Sequence, residues 1–312
     1  MRPEAHRALM DEALRDLERG DAGLFGPGSV TWKVARESLA FLGGGRAALL
    51  QAAHPYVAHA IADHSQTEHD LAGRFQRTFL NVFAMVFGTR EEAVGSAERV
   101  FQIHQRIHGT FPEAVGGYPA GHRYHATDVD ALYWVFATLL HTSIQVRELV
   151  LGPVALRIKD AFIREGVRFG ALFGIPPEVM PENWTAFEAR FDAMVDSHTI
   201  AVGSAGAQIC HFLLKPPRRS VAPVWAWYRR MTAGLLPAKL RDAYGMRWRR
   251  RDAALFRASI ATLRRSYPRV PGRMRYLPAY TDAMRRLTGE DRPDPFGRVV
   301  KAVVLRGLAA KT

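Results

Sequence analysis

Apolar residues in this chain recur at spacings of three and four and nowhere settle into a sustained alternation, which is the pattern of amphipathic helices. Leu9, Ala13, Leu14 and Leu17 set it out near the start. The spacing predicts an all-α fold with strands scarce or absent. Breaks are expected where Gly and Pro gather: GGG at 43–45, GTFPEAVGGYPAGH at 109–122, GIPPEVMPENW at 174–184 and KPPRR at 215–219. Thr127 or Asp128 is placed to cap the apolar run beginning at Ala131, and Pro177 and Pro181 separate a helix around 155–172 from the next. No repeat of about 20–50 residues and no low-complexity linker occurs. The expectation is therefore an N-terminal helix or extension at 1–24, a single large helical bundle over 25–290, and a basic amphipathic tail at 291–312. KPPRRSVAPVW is the alternative boundary, because the charge changes there.

That change is abrupt. Residues 1–210 hold 19 basic and 24 acidic side chains, whereas residues 211–312 hold 24 and 6, so the net charge of +13 belongs to the last third. Such asymmetry fits an anionic membrane surface, a nucleic acid or an acidic partner, and equally a solvated arginine-rich exterior. The N-terminus is charged throughout and lacks the apolar core of an export signal. The longest apolar stretches, FLNVFAMVFG and ALYWVFATLL, are about half the ~20 residues a spanning helix needs. A cytoplasmic protein, or one peripheral at a membrane, is expected. One cysteine, Cys210, allows neither an intramolecular disulfide nor a cysteine zinc site.

Nine of the twelve histidines fall between 54 and 141: His54, His59, His64, His69, His104, His108, His122, His125 and His141. Imidazoles ligate iron, copper and zinc, so such clustering points towards a metal or cofactor. The simpler metal centres lack their signatures. Neither H-E-x-x-H nor any E-x-x-H occurs, and G-x-S-x-G and a P-loop are also missing. A cofactor that brings most of its own coordination remains, and haem b is one, since it asks the protein for an axial side chain and a dry pocket. In ERVFQIHQRIHG, His104 and His108 stand at i and i+4, so on one helix face one would ligate and the other line the pocket. Arg74, Arg77 and Arg106 are nearby cations for haem propionates.

The runs GGGRAALLQAAHPYVAHAIADHS, RFQRTFLNVFAMVFGTREEA, RVFQIHQRIHG, YHATDVDALYWVFATLL and LLPAKLRDAYGMRW follow one another over roughly residues 32–280. In order and spacing they resemble the oxygenase domain of the MpaB and rubber oxygenase family. The resemblance implies a mostly helical haem b domain, dioxygen as co-substrate, and oxidative cleavage of carbon–carbon double bonds in isoprenoid chains. It makes His104 the axial ligand and metal residue, with His108 beside it. It places Arg74, Arg77 and Thr78 on the distal side, where Arg77 replaces a lysine of the rubber enzymes. A guanidinium keeps its proton and cannot ligate iron, so the role expected of Arg77 is electrostatic. His54 and His64 belong to the family pattern, over the distal face or on a propionate. Phe136 departs from the histidine found in many members.

Tyr118, Tyr124 and Trp134 are further candidates to line the pocket or bond propionates. Phe79, Val82, Phe83, Val86 and Phe87 form one apolar helix side that suits a hydrophobic or isoprenoid substrate. The leading expectation is thus a haem-dependent oxygenase acting on an apolar substrate. The alternative is a non-catalytic haem-binding or membrane-surface protein whose tail mixes Arg298, Lys301 and Arg306 with valine and leucine, as an interfacial helix does. Nucleic-acid binding through WYRR and RWRRR is the weaker expectation, because arginine runs on helices are usually solvated.

Overall fold

The computed structural model describes residues 1–17, 21–63 and 68–290, with backbone alone at 68–72, 74 and 75. The described residues form fifteen α-helices and one two-stranded antiparallel sheet, so the fold is all-α as the spacing predicts. Helices α1 (Pro3–Ala13) and α2 (Val30–Ala35) lead to α3 (Ala40–Ala52) and α4 (Pro55–Ala62), then to the paired α5 (Glu68–Phe87) and α6 (Arg90–Gln105). A small hairpin of β1 (His108–Thr110) and β2 (Arg123–His125) precedes α7 (Val129–Leu151), α8 (Leu156–Leu172), α9 (Trp184–Asp196) and α10 (Ser204–Leu214). The basic third contributes α11 (Ala222–Leu235), α12 (Ala238–Ala243), α13 (Arg250–Ser266), α14 (Gly272–Arg275) and α15 (Pro278–Thr288). No helix among the described residues is long and apolar enough to cross a membrane.

Local chemistry sets most of these boundaries. Asp128 caps α7 by accepting the Ala131 N–H at 2.9 Å. Between α5 and α6 the chain turns at Gly88, and Thr89 and Glu92 close a reciprocal capping box at the start of α6. The Glu165 carboxylate of α8 takes both first amides of α2, at Val30 and Thr31, which joins two distant helices through one N-terminus.

The GGG run is a correction to the sequence reading. It lies inside α3 rather than ending a helix. A Cβ on Gly43 would stand 2.5 Å from Thr142 Cγ2 of α7, and one on Gly45 would overlap the Thr232 hydroxyl of α11. The glycines therefore let α3 approach both neighbours closely. The Tyr228 hydroxyl seals one contact by accepting the Gly45 N–H at 2.7 Å. One residue on, the buried Arg46 spans the same three helices. It donates to the Leu235 carbonyl at 2.9 Å, to the Thr142 hydroxyl and to His141 Nδ1 at 3.2 Å. Burial pulls the Arg46 guanidinium down to about 9, still charged at neutral pH, while burial and then the Arg46 charge hold His141 near 3, neutral and able to accept.

Trp32, Trp134, Phe136 and Phe187 fill the core. The Trp32 indole N–H donates to the Val86 carbonyl at 2.7 Å, and that of Trp134 to the Leu50 carbonyl at 2.8 Å, so both polar edges are satisfied in the interior.

Two neighbouring glycines should respond oppositely to alanine. At Gly44 a Cβ makes only ordinary contacts, 3.4 Å from Tyr228 and 3.8 Å from Phe79, so the helix-propensity gain of about 0.8–1 kcal/mol should dominate. At Gly45 the overlap with Thr232 should outweigh that gain, with overpacking costing about 1–3 kcal/mol. Denaturant midpoints of Gly44→Ala and Gly45→Ala test this: the first should rise and the second fall.

Candidate active site

A cavity of about 580 Å³ opens between α4, α5, α6 and the start of α7. Its wall is built by helical spacing. Tyr56, Val57, Ala60 and Ile61 come from one face of α4; Thr78 and Val82 come from α5 at i and i+4; Ala131, Leu132 and Val135 come from α7. The His104 imidazole and the guanidinium groups of Arg77 and Arg106 interrupt this largely apolar lining. His104 sits in the last turn of α6 and Arg106 is the residue that closes that helix. Helix C-termini carry partial negative charge, so this position favours an imidazole bound to a cation.

A second, smaller and almost wholly apolar slot of about 150 Å³ lies between α3, α5, α7 and α8. Phe79, Val82, Phe83, Val86 and Phe87 all line it, as the periodicity of α5 implies, and Gly43 and Gly44 of α3 leave it room. The two spaces share Gln51, Thr78 and Val82. Gln51 Nε2 donates to the Thr138 hydroxyl at 3.0 Å, and that hydroxyl donates on to the Val135 carbonyl, which fixes the amide at the junction. Sequence reasoning missed Gln51, and also Asn81, whose Oδ1 accepts from Ser96 at 3.0 Å beside the larger cavity. The available signal was a lone amide inside an apolar helical run, in ALLQAA and FLNVF.

The β-hairpin buttresses α4. The Tyr56 hydroxyl bonds His122 Nε2 at 2.8 Å, and the Tyr124 hydroxyl donates to Asp63 at 2.8 Å while His59 Nδ1 faces the same carboxylate at 3.3 Å. Around these bonds Tyr56, Phe111, Tyr118 and His122 stack edge to face or tilted.

The structure brings together His104, Arg106, Arg77 and Thr78 among the expected site residues. It separates others. His108 is not on the His104 helix, because α6 ends at Gln105; it is exposed on β1 and stacks with His125 at 5.9 Å. His54 does not line the cavity: it is the buried N-cap of α4, its Nδ1 accepting the Tyr56 N–H at 3.2 Å. Tyr118 stands behind Tyr56 in the aromatic cluster, 5.3 Å away, and Trp134 packs on Phe191 in the core, so neither forms the cavity wall. Phe136 is buried against Phe169. His64 and the Arg74 side chain lie outside the described residues, as does the tail with Arg298, Lys301 and Arg306.

Among the described residues no three His, Cys, Asp or Glu side chains gather as a metal site. A large cavity with a single imidazole and two guanidinium groups thus adjoins an apolar slot within an all-α fold. Residues 32–265 match the family described as ER-bound oxygenase mpaB/B'/Rubber oxygenase, catalytic domain. The chain belongs to that family of oxygenase catalytic domains. No curated protein and no solved structure matches it.

The cap assignment of His54 has a pH signature. Burial holds its imidazole at about 4 in the folded chain, against about 6.5 when unfolded. The folded state thus binds fewer protons than the unfolded one between these values, so stability present above pH 6.5 should be lost as pH falls towards 4. His54→Asn keeps a capping acceptor without the titration. Urea denaturation across pH 7 to 4 should show a shallower decline for the variant, and an equally steep one would remove His54 from this role.

Proposed function

We propose that the larger cavity binds haem b, whose iron His104 would hold, and that the apolar slot would present an alkene or isoprenoid substrate for oxygenation by dioxygen. One observation carries this reading: His104, Arg106, Arg77 and Thr78 line a single cavity that shares Gln51, Thr78 and Val82 with an apolar slot. The donor set fits haem. A porphyrin supplies four nitrogens and needs one imidazole, cations for its two carboxylates and apolar walls for its faces, and this cavity offers each of them. Its volume lies in the ordinary range for cofactor sites, about 300–1,000 Å³.

When bound, haem iron supplies the capacity to activate dioxygen. The remaining work belongs to the chain. From the last turn of α6, His104 would hold the iron. Arg106, exposed at the rim, would pair with a propionate. On the α5 wall the Arg77 guanidinium would supply positive charge and, with the Thr78 hydroxyl, would stabilise negative charge beside the bound cofactor. Phe79, Phe83 and Val86 hold an apolar chain and exclude water from it. Gln51, anchored to Thr138, sits where that chain would meet the cofactor. The membership of an oxygenase family supports the class of reaction, and the greasy slot supports the class of substrate.

Titration with hemin, followed by visible absorption, tests the ligand. His104→Ala should bind little haem or show a changed Soret band, whereas His108→Ala, altered only on the β-hairpin, should keep the wild-type band. An unaltered spectrum for His104→Ala would overturn the assignment. Arg77→Ala should keep haem while oxygen-dependent turnover falls by about 10²-fold, the cost of losing one preorganised charge partner. An unchanged rate would shift that role to Thr78.

A further inference from the structure

Helices α11 and α13 expose large apolar side chains that the interior does not explain. Val224 is 61% exposed, Leu255 49% and Trp227 36%. They are neighbours by construction. Val224 and Trp227 are three residues apart on α11, the Trp227 indole N–H donates to Ser259 of α13 at 3.1 Å, and Leu255 lies one turn before Ser259. Exposed Ala254 and Ala258 lie beside Leu255 on α13 and leave that face low.

The surroundings are cationic. Arg229 on α11 and Arg250, Arg251 and Arg257 on α13 are exposed. The one carboxylate on the two helices, Asp252, is already taken by Arg230 at 3.1 Å and by the Arg249 N–H at 3.0 Å. Behind α11 a cleft of about 640 Å³ extends the positive surface with Arg229, Arg230 and Arg247 on its walls.

We propose that this face of α11 and α13 docks the protein on an anionic lipid bilayer. Valine, leucine and tryptophan would enter the boundary between headgroups and acyl chains, where tryptophan is favoured, while the arginines extend to the lipid phosphates. A solvated basic surface has no use for three exposed apolar side chains in a row. A nucleic acid would satisfy the arginines and leave Val224 and Leu255 in water. The docking stands independently of the haem reading, and it would set the protein at the phase where apolar substrates dissolve.

Co-sedimentation of the full chain with phosphatidylcholine vesicles, with and without phosphatidylserine, tests the proposal. The protein should bind only the phosphatidylserine vesicles, at low salt. Two variants, Trp227→Gln with Leu255→Gln and the combined Arg250→Gln, Arg251→Gln and Arg257→Gln, should each weaken that binding by about tenfold or more, since a cation near such a surface contributes roughly a factor of five. All five side chains are exposed, and circular dichroism should confirm that the fold is kept. Undiminished binding in both variants would overturn the proposal and move the contact to another surface, such as residues 291–312. Absence of vesicle binding, with salt-sensitive binding to duplex DNA that the arginine variant abolishes, would overturn it in favour of a nucleic acid.

Discussion

The close approach of α3 to α7 and α11 is the constraint on which the rest of the molecule depends. Side chains at Gly43 and Gly45 would collide with Thr142 and Thr232, so only glycine allows the three backbones to come this near. That proximity places Arg46 where a carbonyl, a hydroxyl and an imidazole can all accept from it, which is how a buried cation is tolerated without a carboxylate partner. It also aims the far end of α3, with Gln51, at the junction of the two cavities. The same glycine run also leaves space beside this contact, because Gly43 and Gly44 line the apolar slot together with Thr142.

The larger cavity is assembled from a different kind of restraint. Its α5 and α6 walls are neighbours in sequence, joined by a turn with a capping box, so Arg77, Thr78 and His104 come together through a local hairpin of helices. The α4 wall is held from outside by hydrogen bonds from the β-hairpin to Tyr56 and Asp63. A chemically sparse site, with one imidazole and two guanidinium groups among aliphatic side chains, follows from this construction. The haem proposed for this site would carry its own reactivity and need orientation, charge and dryness from the protein.

Much of this was legible in the sequence. The spacing of apolar residues gave the all-α class, Asp128 and the Pro and Gly clusters after α8 and α10 marked real boundaries, and the α5 stripe predicted one apolar wall residue by residue. The errors have physical causes. A triple glycine ends most isolated helices, but tertiary contact overrides propensity when close packing requires the missing side chains. His108 seemed to share a face with His104 because helical spacing was extended past Gln105, where the chain enters a strand. His54 and Trp134 are site candidates by their chemistry, and the structure places one as a helix cap and the other as a buried indole bonded to the Leu50 carbonyl. Gln51 and Asn81 escaped notice because an amide has no distinctive motif until its neighbours are known.

A haem pocket beside His104 would have a spectroscopic signature. The visible spectrum of the purified wild-type protein after hemin reconstitution, reduced with dithionite and then exposed to carbon monoxide, tests it most directly. A Soret band that shifts on reduction, and again on carbon monoxide, is the predicted result. Recovery of the protein without any Soret absorption after reconstitution would contradict it.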